Sequence, residues 1–131
     1  MKEVLYFITL SLLLLLLSCK DMGNSPIKGK WQLKTVEREG VVSYVDTLWY
    51  NFQSISLFTL QIYLVQKDMY VQLTGYRTEH DNILAIEIES SSYLENTDWM
   101  DFKRTFIIEK CRGGELVLVS EENYVYRFVR F

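Results

Sequence analysis

The chain has 131 residues, 49% of them hydrophobic and 15% aromatic, with a formal net charge of −3. That length fits a single domain, and an acidic balance without a basic stripe excludes the electrostatic footprint of a nucleic-acid binder. One histidine and two cysteines fall short of the four nitrogen or sulfur ligands of a structural zinc site.

Residues 1–3 are polar, residues 4–17 are apolar apart from Thr9 and Ser11, and the run ends in six leucines at 12–17. A short charged segment, an apolar core and a small-residue cut site make a secretory signal peptide. The run falls short of the ~20 apolar residues of a transmembrane helix. Leu16, Leu17, Ser18 and Cys19 resemble the bacterial lipobox. The resemblance implies that residues 1–18 are removed and that the Cys19 thiol carries a diacylglycerol. The membrane is then a partner through the lipid anchor, since several acyl chains hold where one binds only marginally. Lys20 and Asp21 partly match the Lys-then-acidic export signal of Bacteroidetes lipoproteins, which points to the outer membrane of the cell envelope. Residues 19–28 are polar, hold the only proline, Pro26, and read as a lipid-anchored tether.

From there to the C-terminus the hydrophobic period is two, the signature of half-buried strands. Trp31, Leu33 and Thr35 share a face of the first strand, against Gln32 and Lys34. Leu48, Tyr50 and Phe52 form the second, Phe58, Leu60, Ile62 and Leu64 the third, and Met69, Val71, Leu73 and Gly75 the fourth. Leu84, Ile86 and Ile88 mark the fifth, Phe106 and Ile108 the sixth, Leu116 and Leu118 the seventh, and Tyr124, Tyr126 and Phe128 the eighth. Most links are short and turn-like, which makes neighbours antiparallel. Two are longer, at 39–46 and at 90–102, the second with room for a short helical turn. The third and fourth strands are long enough to shear around a closed barrel, and closure removes exposed edges.

Gly29-Lys30-Trp31 matches the Gly-x-Trp that opens the first strand of lipocalin-type barrels, and it stands at the start of the first of eight strands. FKRTFIIEK (102–110), ELVLVS (115–120) and YVYRFVRF (124–131) resemble the closing strands of small lipocalin-like lipoproteins of Bacteroidetes. The resemblance covers nearly all of 29–131. It implies an all-β domain, an eight-stranded antiparallel up-and-down lipocalin-like barrel of calycin type. It also implies that Trp31 plugs the closed end beneath an Arg of the last strand. Arg127 and Arg130 are both candidates, and alternation does not choose between them.

The chain holds no nucleophile elbow, P-loop or dinucleotide fingerprint. His80 lies in a turn, Glu87 and Glu89 share an outer face, and Glu95, Asp98 and Asp101 sit in the 90–102 link as solvated acids within reach of a barrel mouth. Cys111, with no partner once Cys19 is lipidated, reads as a small hydrophobe at a strand end. The expectation is a non-enzymatic protein without cofactor or metal. Aromatic residues are in excess, and those of the 90–102 link suggest a lid that folds back on the barrel. A barrel of this size holds side chains or one small ligand. The expected site for a small apolar ligand lies between Phe58, Leu60, Val71, Leu73 and Ile86, with Tyr93 and Trp99 of the lid. The alternative is a filled barrel that serves as an envelope protein–protein interaction or scaffold module through its outer aromatics.

Overall fold

A computed structural model describes residues 2–4, 6 and 26–131. Nine strands follow in order: β1 (Gly29–Arg38), β2 (Val41–Tyr44), β3 (Leu48–Phe52), β4 (Leu57–Leu64), β5 (Met69–His80), β6 (Ile83–Ile88), β7 (Lys103–Arg112), β8 (Glu115–Ser120) and β9 (Val125–Arg130). A 3-10 helix (Ser92–Asn96) lies between β6 and β7, in the link where a helical turn was expected. All pairings are antiparallel, and β1 with β9 closes the sheet. β2 pairs with the second half of β1 and β3 with the first. The two therefore share one position beside β1, and the barrel has eight positions. β2 lay hidden in the 39–46 link because all four of its side chains are exposed, leaving no alternation to read.

Most of the expected signal peptide, Cys19 and most of the tether lie outside the described residues. In the described part of the tether Pro26 and Lys28 are exposed, but the residue between them is packed. Ile27 is fully buried, and its carbonyl accepts the Trp31 indole N–H at 2.8 Å.

Three hairpins turn on two residues with positive φ at both: Glu39 and Gly40, Asp81 and Asn82, Gly113 and Gly114. Such turns carry the right-handed twist of the strands they join, and Gly, Asn and Asp tolerate the left-handed backbone. They put the links 81–82 and 113–114 at the end of the barrel where β1 begins and the link 39–40 at the opposite end.

One inward assignment shifts. Leu33 faces Phe128 and Thr35 faces Arg127, so Lys34 is an extra residue, a β-bulge in β1. Beyond it the parity flips. Val36 is buried where Thr35 had been expected.

At the end where β1 begins, the Arg130 guanidinium lies 3.9 Å from the Trp31 ring centre. Arg127 points elsewhere, with its Nη1 4.0 Å from Glu115. It takes no part in closing the barrel, because the alternation of β9 puts Tyr126 and Phe128 inside. Gly29 has φ +123°, and a Cβ there would lie 2.5 Å from Arg130 Nη1. The glycine of the Gly-x-Trp pattern therefore leaves space for the cation that covers the Trp.

Candidate functional site

The opposite end carries the long link between β6 and β7. Its conformation is built by small hydroxyl residues. The Ser91 Oγ accepts the Tyr93 N–H at 3.2 Å and caps the 3-10 helix. Thr97 Oγ1 donates to the Leu94 carbonyl at 2.8 Å and accepts the Trp99 N–H at 3.0 Å. This double contact aims the next two side chains at the barrel. The Ile88 N–H donates to the Phe102 carbonyl at 2.9 Å and closes the base of the loop.

Asp98 and Trp99 are the two side chains so delivered. Asp98 accepts from Arg38 Nη2 of β1 at 3.0 Å and from Arg104 Nη1 of β7 at 3.3 Å. It also accepts a very short hydrogen bond from the Tyr126 hydroxyl of β9. Arg104 Nη2 in turn donates to that hydroxyl at 2.7 Å. The Arg104 guanidinium lies 4.7–5.4 Å from the ring centres of Phe106, Tyr126 and Trp99, within the range of cation–π attraction. Trp99 is 4% exposed. Its indole N–H donates to the Tyr50 hydroxyl at 3.0 Å, and its ring stacks beside Phe58 at 6.4 Å.

Burial, above all, raises the Tyr50 hydroxyl well above its ordinary value and pushes Tyr126 up to about 12. Both phenols therefore keep their protons at neutral pH. Burial alone would lower Arg104, but Tyr50, Asp98 and Tyr126 outweigh it and hold the guanidinium above its usual range. At the mouth of the barrel Arg38 and Arg104 thus share the Asp98 carboxylate, with the exposed Glu122 within electrostatic reach of Arg104.

A model of the lipocalin-like domain family matches residues 13–131. The chain belongs to that family. A lipocalin-like protein from Bacteroides uniformis is 23% identical with a TM-score of 0.74, over 82% of this chain and 100% of its own. An uncharacterized protein from Bacteroides eggerthii is 25% identical with a TM-score of 0.67, over 79% and 98%. Comparison with curated proteins returned no match.

In this lipocalin-like barrel, Phe58, Leu60, Leu73, Ile86 and Trp99 are buried in one core cluster, with Val71 and Tyr93 packed against it. The seven residues expected to line a ligand site are together, but they form packed core and not an open pocket. A cleft of about 420 Å³ lies on the outer surface, between Leu57, Tyr76, Glu87 and Glu89. Of the three loop acids, Asp98 reaches the mouth, while Glu95 and Asp101 remain exposed. The loop aromatic Trp99 is inside.

Sequence reading missed Arg38, Arg104 and Tyr126 as a group, and Arg77 at the other end. Arg77 is 2% exposed, and its Nε donates to the Ser54 carbonyl at 2.8 Å. The available signal was parity. Arg104 stands two before the inward Phe106, and Arg77 four after the inward Leu73. His80 pairs with Asp81 on an exposed turn. The Cys111 thiol, raised by burial first of all, donates to the Pro26 carbonyl at 3.3 Å. Among the described residues, no three His, Cys, Asp or Glu groups gather to hold a metal, and no helix is long and apolar enough to cross a membrane.

Proposed function

We propose that the mature protein is anchored by lipid on Cys19 to the outer membrane and binds one small, mostly apolar ligand inside its barrel, without catalysing a reaction on it. The position of Trp99 carries the ligand reading. Among the described residues, Ile27 and Trp99 are the buried core hydrophobics that do not belong to a strand. Ile27 leads directly into β1. Trp99 sits on a loop that belongs to no strand and is fastened by turn hydrogen bonds, the Asp98 network and the Trp99–Tyr50 hydrogen bond. Lifting Trp99 turns a filled barrel into one with room for a guest while every strand stays paired. The anchor rests on the apolar leader and the lipobox resemblance.

Native and denaturing mass spectrometry of the protein extracted from its own envelope tests both parts. A diacylglycerol mass on Cys19 that persists on denaturation, with a second mass that is lost on denaturation, is the expected result. A bare thiol at Cys19 defeats the anchor, and absence of a releasable mass counts against the ligand.

An outer aromatic patch favours the second reading, a partner-binding module. Trp49 packs against Tyr70 at 5.8 Å and Phe131 at 6.0 Å, and Tyr70 continues to Tyr63 at 4.9 Å. Tyr70 and Phe131 are exposed, which suits a protein contact. A bare chain mass together with a stable larger complex, lost in Tyr70→Ser, would favour it.

A further inference from the structure

We infer that the ligand is a monocarboxylate on an apolar body, and that Asp98 and Trp99 occupy its place in the closed barrel. This rests on the barrel-binding reading above. The Asp98 carboxylate is received by donors from three strands: Arg38 of β1, Arg104 of β7 and Tyr126 of β9. None of them belongs to the lid. When the lid lifts, Asp98 leaves with it. Arg104, whose side chain is 11% exposed, stays at the mouth with Tyr126. A largely desolvated guanidinium that loses its hydrogen-bonded carboxylate is unfavourable, and the exposed Glu122 acts on it only through space. An occupant that brings a carboxylate restores the pairing, and a planar guanidinium fork suits that group. An occupant that brings only a hydroxyl does not.

The apolar part follows from Trp99. Carboxylate and indole belong to consecutive residues, so acid and apolar body lie side by side in the space they fill. The vacated walls are aromatic, Tyr50 and Phe58, with Arg104 over the place of the indole at 5.4 Å. The Tyr50 hydroxyl, released from the Trp99 N–H, offers a second polar contact inside. The lid is thus an internal competitor that keeps both the cation and the apolar walls covered until a molecule of the same two-part chemistry displaces it.

The test uses washed envelope membranes that contain the full-length chain. Lauric acid bearing a diazirine and an alkyne is photo-crosslinked, in parallel with the matching lauryl alcohol, and labelled peptides from residues 29–131 are quantified. The acid is expected to label roughly tenfold more than the alcohol, the effect of one charge-assisted pair, and unlabelled laurate is expected to compete. Asp98→Asn should raise the acid-to-alcohol ratio, Trp99→Ala should raise labelling by both, and Arg104→Met should bring the acid down to the alcohol. If Arg104→Met does not fold, the ratio in the unaltered protein decides. Equal labelling by acid and alcohol overturns the carboxylate while leaving barrel binding intact. No labelling by either probe, in the unaltered chain and in Trp99→Ala, overturns both.

Discussion

Arg130 covers the Trp31 indole at 3.9 Å and donates to the Lys28 carbonyl at 2.6 Å. The indole N–H is itself bonded to Ile27. The entry segment, the first strand and the last strand are therefore joined at one end of the barrel. A cation over a Trp face contributes about 0.5–2 kcal/mol, and the carbonyl contact adds to it. Arg130→Ala is expected to lose about 1–2 kcal/mol in urea unfolding, whereas Arg127→Ala should stay within ~0.5 kcal/mol, as surface substitutions usually do. The reverse ranking would remove Arg130 from its closing role.

Gly75 of β5 pairs with Ile88 of β6. A Cβ there would lie 2.0 Å from the Glu87 carbonyl oxygen and 2.7 Å from the Ile88 Cα. Both obstacles are backbone, so neither can swing aside. Gly75→Ala should cost about 1–3 kcal/mol, the range for overpacking, and should loosen amide exchange along the β5–β6 ladder. A neutral substitution would show that the two strands are farther apart than described.

Much of this fold was legible because burial here follows parity. Tyr50, Phe52, Phe58, Phe106 and Phe128 lie inside, as their alternation implied. Parity failed where something other than alternation decides. The extra Lys34 inverts β1 after Leu33, and β2 has no buried face at all. The site was harder to read. Arg104 and Arg77 stand at inward positions, but a charged residue is normally exposed unless it is paired. Arg104 meets Asp98 and Tyr126, and Arg77 meets the Ser54 carbonyl and Glu79; of these partners only Glu79 lies on the same strand as its cation. Asp98 and Trp99 gave no periodic signal, since a loop has none, and only closure of the barrel brings them to Arg38 and Tyr126.

The Asp98 network should hold the lid shut. Asp98→Asn keeps the shape but removes the charge that Arg38 and Arg104 meet. A loss of about 1.5–3 kcal/mol is expected, typical of hydrogen bonds to charged groups. Amide exchange should quicken across residues 91–102 and stay unchanged in β4 and β5. Uniform acceleration would mean that Asp98 supports the whole barrel and not its lid.

Tyr126 gives the protein an alkaline limit. Its hydroxyl is raised by burial, and then by donation to Asp98, to about 12, against an ordinary value of about 10. Below pH ~10 both folded and unfolded chains keep the proton, and the contribution to stability is complete. Between about 10 and 12 the unfolded chain loses it first, so stability falls as pH rises. Tyr50, raised by burial, acts in the same direction. Urea midpoints measured across that window should fall less steeply for Tyr126→Phe than for the unaltered protein. Identical slopes would place the Tyr126 hydroxyl in water.

Displacement of Trp99 by the ligand is open to direct observation. The chain has three tryptophans, Trp31, Trp49 and Trp99, and fluorine-labelled tryptophan gives each its own resonance, assigned with Trp99→Phe. On titration with laurate, the Trp99 resonance should move to the position of a solvent-exposed indole, in step with binding, while Trp31 and Trp49 hold still. Saturable binding that leaves the Trp99 resonance in place would contradict the shared site and put the ligand elsewhere on the barrel.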